Sequence, residues 1–111
     1  MINEGMMLPL LELPDVKFIY LYTKPINMQW GKNKLKNICL NEMQIELNKN
    51  QLFLFSNKAM NKLKLFFLDD DGEQEILRFL PKGSFILPVP KNNEIVIKIN
   101  KNKLATIFKM R

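Results

Sequence analysis

Five basic side chains in the middle of the chain have the types and the spacing to bind phosphate groups. They are Lys58, Lys62, Lys64, Arg78 and Lys82. Lysine and arginine neutralise the phosphates of nucleic acid and release bound counterions. If the segments that carry them pair as a hairpin, Lys64 and Arg78 come near one another, and like charges held together suit an anion. The sequence therefore predicts one cationic surface that contacts DNA phosphates; the alternative is a solvated face with Glu73 and Glu75 as counter-charges.

The chain offers little for acid–base or nucleophilic catalysis. It contains no histidine, and Cys39 is its one cysteine. Without histidine it lacks the commonest general base, the usual zinc ligand and any Ser–His or Cys–His pair. A single cysteine excludes an internal disulfide and a multi-cysteine zinc site. We therefore expect no enzymatic activity and no cofactor. Cys39 lies on an apolar helical stripe, which is typical of a small core residue rather than a nucleophile.

Three consecutive carboxylates, Asp69, Asp70 and Asp71, form the one acidic cluster of the sequence. A two-metal nuclease needs carboxylates that converge from separate elements on ions about 3.5–4 Å apart. Consecutive residues in a tight turn point away from one another. We therefore interpret the cluster as a turn and predict no metal site there.

The stretch over residues 52–88 must position the basic residues, and it reads as three or four consecutive strands. The apolar runs are Leu52–Phe55, Leu63–Leu68 (broken only by Lys64) and Phe85–Leu87, and the chain returns through Glu75–Leu80 between the last two. Asp71–Gly72 is a pair that two-residue hairpin loops favour, and Pro81–Lys82–Gly83 marks a second turn. Runs of this length favour an antiparallel meander.

Alternation along the predicted strand of residues 62–68 gives this strand one apolar and one basic face. Lys62 and Lys64 are two residues apart and project from the same side, while Leu63, Leu65 and Phe67 project from the other. Phe66 and Leu68 share the basic side. This side therefore cannot be wholly solvated, and either helices or a partner must cover part of it.

The flanking segments supply two strands and two helices. Residues 16–22 and 95–99 have the β-branched or alternating pattern of strands. A helix is predicted from Leu35, with its apolar stripe continuing to Leu47 and its end at residues 48–50; Asn27 and Asn33 are its candidate N-caps. Asn100 is predicted to cap a final helix with one apolar face. That face consists of Leu104, Ile107 and Phe108.

These elements predict an α+β fold: an antiparallel β-meander of five or six strands with two helices. Residues 17–111 form a single domain, and residues 1–16 form an extended N-terminal arm rich in Met and Leu. The apolar piece of that arm is too short for a signal peptide or a membrane span. We therefore expect a cytoplasmic protein with no membrane partner.

The distribution of charge favours a polyanionic partner. The chain of 111 residues has 17 Lys and Arg against 11 Asp and Glu, a net charge of +6. Residues 1–16 carry no basic residue, so residues 17–111 hold 17 basic against 8 acidic groups. A basic body attracts polyanions over long range. The alternative is compositional: Asn, Lys and Ile are abundant throughout, and lysine is then an ordinary surface residue.

The order of motifs resembles a known family. The motifs are Pro25–Gly31, Leu52–Phe55, the basic loop and strand of residues 56–66, the turn Leu68–Gly72, and Leu80–Pro88. In this order they resemble the TnpB-like accessory protein that the second open reading frame of insertion sequence family 66 elements encodes. The resemblance covers roughly residues 17–109. Asn27 stands where the family has Asp, Gln29–Trp30 replace two basic residues, and the turn lacks the family's Trp and first Gly, so this is a diverged member.

The resemblance implies an accessory role in transposition beside a separate transposase. The chain would then be a non-catalytic factor that binds DNA phosphates, the transposase of the same element, or both. The alternative is a protein–protein interaction module, a homodimer or a transposase-docking domain, that does not bind nucleic acid. Four aromatic residues have rings that could stack on bases, although aromatics in strands are more typical of a core. They are Trp30, Phe53, Phe66 and Phe85.

Overall fold

The described part of the chain forms one five-stranded sheet with a helical layer on each face. The structure is a computed structural model that describes residues 16–109. The strands are β1 (Phe18–Tyr22), β2 (Gln51–Ser56), β3 (Lys62–Asp69), β4 (Gly72–Phe79) and β5 (Val96–Ile99). The helices are α1 (Lys32–Asn37), which continues as a π-helical segment (Ile38–Glu42), and α2 (Lys101–Lys109). The predicted α+β class is confirmed. The predicted arm of residues 1–16 lies outside the described residues except for Val16.

The sheet is mostly antiparallel, in the order β4-β3-β2-β1-β5. Strands β2, β3 and β4 form the predicted meander, and β5 pairs antiparallel with β1. The prediction of a purely antiparallel sheet is wrong at one pair, because β1 runs parallel to β2, with Phe18 opposite Gln51. The connection between these strands contains α1. Such a helical crossover returns the chain to the end of the sheet where β1 began.

Each face of the sheet packs against one helical layer, and we call the two faces the α1 face and the α2 face. On the α1 face, Phe53 and Phe66 pack with Leu35. On the α2 face, Leu65 packs with Leu104. Each fully buried side chain of this size contributes about 1.5–3 kcal/mol. The predicted apolar side of β3 is therefore the α2 face, and the α1 layer covers part of the predicted basic side.

The first helix ends earlier than predicted. Its π-helical segment ends at Glu42, where the Met43 N–H donates to the Ile38 carbonyl at 2.9 Å. Gln44 then has φ 59°, a left-handed conformation that a helix cannot continue through. The apolar stripe beyond this point still reaches the core, because Leu47 packs against the α1-face cluster without belonging to a helix.

Neither predicted asparagine caps the first helix. Its N-cap is Gly31, which provides no side-chain hydrogen bond. Asn27 instead organises the turn before the helix: its Oδ1 accepts from the Gln29 N–H at 2.8 Å, and its carbonyl accepts from the Trp30 N–H at 3.0 Å. The carbonyl groups of Met28 and Trp30 in this turn face β3.

The β3–β4 hairpin forms as predicted but turns one residue earlier. Asp69 pairs with Gly72, so Asp70 and Asp71 are the two central residues. The left-handed backbone falls on Gly72, with φ 115°, directly after the turn. Glycine alone adopts this conformation without strain.

The predicted strand over residues 85–87 is absent, and this segment is a loop. The Phe85 N–H donates to the Met60 carbonyl at 2.7 Å, which ties the loop to the β2–β3 turn rather than to a strand. The Phe85 ring is buried and meets Phe108 edge-on at a centroid distance of 5.9 Å. The residue was correctly expected to be apolar core, but its backbone has no place in the sheet.

The final strand and helix are confirmed. Asn100 caps α2, since its Oδ1 accepts from the Lys103 N–H at 2.7 Å. The predicted apolar face is buried on the sheet, and it consists of Leu104, Ile107 and Phe108. Neither described helix has the length and apolar character needed to cross a bilayer.

Candidate nucleic-acid interface

Lys62 opens β3 on the α1 face, at the end of the sheet away from the β3–β4 hairpin. It lies directly opposite Phe79 of β4 in the antiparallel register. Its ammonium lies 5.6 Å from the centroid of the Phe79 ring, within the range of a cation–π contact. The side chain is half-buried, so its stem packs on the strand while its charge stays near the surface.

Lys58 projects from a tightly bonded turn between β2 and β3. Asn57 builds this turn: its Oδ1 accepts from the N–H groups of Asn61 and Lys62, each at 3.1 Å, and its Nδ2 donates to Asn61 Oδ1 at 2.7 Å. Met60 completes the turn with φ 59°. The asparagine-rich sequence therefore fixes the backbone locally and holds the exposed Lys58 at the end of the sheet.

Lys82 lies on the loop that follows β4, at the same end of the sheet. The Leu80 N–H donates to the Asn61 carbonyl at 2.8 Å, which joins this loop to the β2–β3 turn. Gly83, with φ 78°, turns the chain directly after Lys82. We call Lys58, Lys62 and Lys82 the cationic end. Among residues 16–109, no carboxylate forms an ion pair with any of these three lysines.

Lys64 does not belong to the cationic end, because its charge is used inside the protein. It is buried, and its ammonium donates to the carbonyls of Met28 at 2.8 Å and Trp30 at 2.9 Å. Glu75, on β4, lies 3.2 Å from the same nitrogen. The ammonium thus bonds the turn before α1 to the sheet. A phosphate could reach Lys64 only if these contacts broke.

Arg78 lies on the opposite face from Lys64. In the register Lys64 pairs with Leu77 and Arg78 pairs with Leu63, and neighbouring residues of a strand point to opposite faces. The expectation that Lys64 and Arg78 come near one another is therefore wrong. Arg78 is buried on the α2 face, where its guanidinium lies 5.1 Å from the centroid of the Phe108 ring. It packs the last turn of α2 against β4.

The four aromatic residues considered for base stacking are mostly core. Phe53, Phe66 and Phe85 are buried, as aromatics in strands usually are. Trp30 is half-buried on the turn before α1, with the Lys34 ammonium 4.9 Å from its ring. The three buried rings cannot contact a base without unfolding.

Two residues that the sequence analysis missed are exposed beside the cationic end. Leu77 and Phe79 each have 53% of their surface exposed on the α1 face of β4. A signal for them exists in the sequence: on an alternating strand they share a face with Glu73 and Glu75, the polar side of β4. An aromatic residue on the polar face of an edge strand is a candidate for binding rather than packing.

The acidic cluster at the opposite end of the sheet is a structured turn. Asp69 Oδ1 accepts from the Asp71 N–H at 2.8 Å and from Gln74 Nε2 at 3.2 Å. Asp70 pairs with Lys49, and this hydrogen bond lowers the pKa of the Asp70 carboxyl. The described residues contain no group of three or more acidic, cysteine or histidine side chains arranged to hold a metal ion.

Cys39 is fully buried in the π-helical segment, and burial raises the pKa of its thiol to about 12. Because the thiolate is the reactive form, we expect Cys39 in the folded protein to react with a thiol reagent at pH 8 at least about 100-fold more slowly than in urea. Equal rates in the two conditions would show that the thiol is accessible.

A comparison with protein families gives a match over most of the chain. The family model described as IS66 Orf2 like protein matches residues 17–110. No curated protein and no solved structure matches the chain. The matched range begins just before β1 and extends just past α2, so it includes both loops of the cationic end.

Proposed function

The chain belongs to the IS66 Orf2-like family of insertion-sequence accessory proteins, and from this premise we propose that it assists transposition by binding DNA phosphates through its cationic end. The cationic end is Lys58, Lys62 and Lys82. These are three of the five basic residues that the sequence indicates; the other two, Lys64 and Arg78, are buried and stabilise the fold. The transposase of the same element is the expected protein partner.

One observation carries the proposal: three lysines lie at one end of the sheet, and no described carboxylate pairs with them. Two of them stand on turns that backbone hydrogen bonds join to one another. The acidic turn at Asp69, Asp70 and Asp71 lies at the far end of β3 and β4. This polarity would orient the cationic end toward a polyanion during encounter.

The proposed role is binding without catalysis. A phosphoryl-transfer site needs carboxylates or a metal close to the phosphate. The cationic end supplies ammonium groups, and the nearest described carboxylate on the same strand pair, Glu75, is bonded to Lys64. We therefore propose that the protein positions DNA for a separate transposase.

The test is the salt dependence of binding to duplex DNA. If three lysines each neutralise one phosphate, the logarithm of the binding constant should fall against the logarithm of the salt concentration with a slope of roughly −3. Affinity should then drop roughly 40-fold between 50 and 200 mM salt. Fluorescence anisotropy with a labelled duplex measures both quantities. Absent binding, or binding that does not respond to salt, would contradict the proposal.

A second candidate function is a protein–protein interaction module, and one observation favours it. Ile86 and Val89, on the loop after β4, have 59% and 80% of their surfaces exposed. Exposed apolar residues on a loop can dock on a second copy of the chain or on the transposase. Sedimentation velocity at several concentrations separates the two functions, because self-association without DNA binding is expected of the module alone.

A further inference from the structure

Phe79 is an exposed aromatic ring placed among the lysines of the cationic end. More than half of its surface is accessible, although it lies in a regular strand. Every large aromatic of strands β2 and β3 is buried or half-buried. Phe79 is therefore not a core residue, and more than half of its surface stays in contact with water.

The surroundings of Phe79 suit a nucleobase better than an apolar protein partner. The Lys62 ammonium lies 5.6 Å from the ring centroid, and Lys58 and Lys82 stand on the turns at the same end. Burying this ring under an apolar surface would remove water from the Lys62 charge, which is costly. A nucleotide supplies an aromatic face for the ring and a phosphate for the lysine together.

An aromatic side chain can stack on a base only where the face of that base is free, and this condition distinguishes single-stranded from duplex DNA. In duplex DNA the bases stack on one another, and their faces are closed to a side chain. In a single strand the faces are open, and stacking on an aromatic residue contributes to binding without requiring a sequence. Leu77 lies two residues before Phe79 on the same face and extends the apolar surface along β4.

We propose that Phe79 is a base-stacking residue that gives the cationic end a preference for single-stranded over duplex DNA. This inference rests on the proposed function, since the same three lysines hold the backbone phosphates. Such a preference would direct the protein to unpaired segments of DNA rather than to intact duplex.

The test compares one labelled oligonucleotide as a single strand and as a duplex, at the same salt concentration. Phe79→Ala should weaken binding to the single strand roughly 5- to 100-fold and leave duplex binding within about twofold. Phe79→Tyr should retain single-strand binding because it keeps the ring. Leu40→Ala is the control, since it removes an exposed apolar side chain from the π-helical segment and should leave both affinities unchanged.

A second readout reports stacking itself. In a Phe79→Trp variant, single-stranded DNA should quench the new tryptophan fluorescence, whereas matched duplex should not. The parent protein, whose one tryptophan is Trp30, gives the background signal. Circular dichroism of each variant confirms that the fold is kept, which is expected because Phe79 is exposed.

The outcomes separate this inference from the proposed function. If the parent protein binds neither form of DNA, both fail. If it binds DNA but Phe79→Ala changes neither affinity, or lowers both equally, the single-strand preference is overturned and the phosphate contacts stand. If Phe79→Ala abolishes self-association instead, the ring belongs to a protein interface and the inference is overturned.

Discussion

We expect Lys64→Met to lower the free energy of unfolding by roughly 2–4 kcal/mol. Methionine keeps the length and much of the packing of the lysine stem. It removes the ammonium that bonds the Met28 and Trp30 carbonyls and faces Glu75. Two backbone acceptors and one partly buried carboxylate then lose their donor. Urea denaturation followed by circular dichroism measures the loss as a shift in the midpoint.

The matched control is Lys62→Met, two residues earlier on the same face of the same strand. Lys62 is half-buried and has no described carboxylate partner, so its replacement should change the unfolding free energy by less than about 1 kcal/mol. Adding Glu75→Gln to Lys64→Met should recover part of the loss, because it removes the unpaired charge. Equal midpoints for Lys64→Met and Lys62→Met would show that Lys64 does not hold the turn to the sheet.

The second large effect concerns DNA. We expect the combined variant Lys58→Glu, Lys62→Glu and Lys82→Glu to bind duplex DNA at least about 100-fold more weakly at 50 mM salt, because three attractive charges become repulsive. Its unfolding midpoint should stay near that of the parent, since two of the three side chains are exposed and one is half-buried.

Lys17→Glu is the control for a general change in net charge. Lys17 is exposed, and its N–H bonds the Asn50 carbonyl at the opposite end of the sheet from the β2–β3 turn. One such reversal should lower affinity by less than about threefold, and each single reversal at the cationic end should lower it more. If Lys17→Glu weakens binding as much as Lys62→Glu, attraction depends on net charge and not on a defined surface.

Patterns among neighbouring residues are sufficient to predict much of the fold. The alternation from Ile95 to Ile99, the Asn100 cap and the apolar stripe of α2 depend on neighbouring residues, and all three are confirmed. The hairpin was also predicted, and its one-residue shift has a local cause. The sequence pattern placed Asp71–Gly72 at the centre of the turn, whereas the positive φ is needed one position after it.

Other features of the fold leave no local pattern in the sequence and could not be predicted from it. The parallel pairing of β1 and β2 depends on where the chain returns after α1, although a helix between two strands is itself a sign of a crossover. The early end of the first helix depends on the backbone of Gln44, which no helix-breaking residue type marks. The loop at Phe85 is tied by its backbone to Met60.

The candidate site likewise has features that the sequence predicts and features that it does not. Hairpin register alone separates Lys64 from Arg78, because either position of the turn pairs Lys64 with an odd-numbered residue of β4, so this error was avoidable. The sequence predicts that part of the basic side of β3 is covered but not that Lys64 is the buried lysine, since its acceptors are carbonyls of the distant turn at Met28 and Trp30. The sequence alone does not distinguish a lysine that donates to two backbone carbonyls from a lysine that is exposed to solvent.

The decisive measurement for the cationic end is the salt slope of duplex binding for three proteins: the parent, the triple variant Lys58→Gln, Lys62→Gln and Lys82→Gln, and Lys17→Gln. If these three lysines contact phosphates, the slope should change from roughly −3 in the parent to near zero in the triple variant. Each lysine removed should reduce the magnitude of the slope by about 0.9. Lys17→Gln should keep the parent slope. A triple variant with the parent slope would show that DNA, if bound at all, is held elsewhere on the molecule.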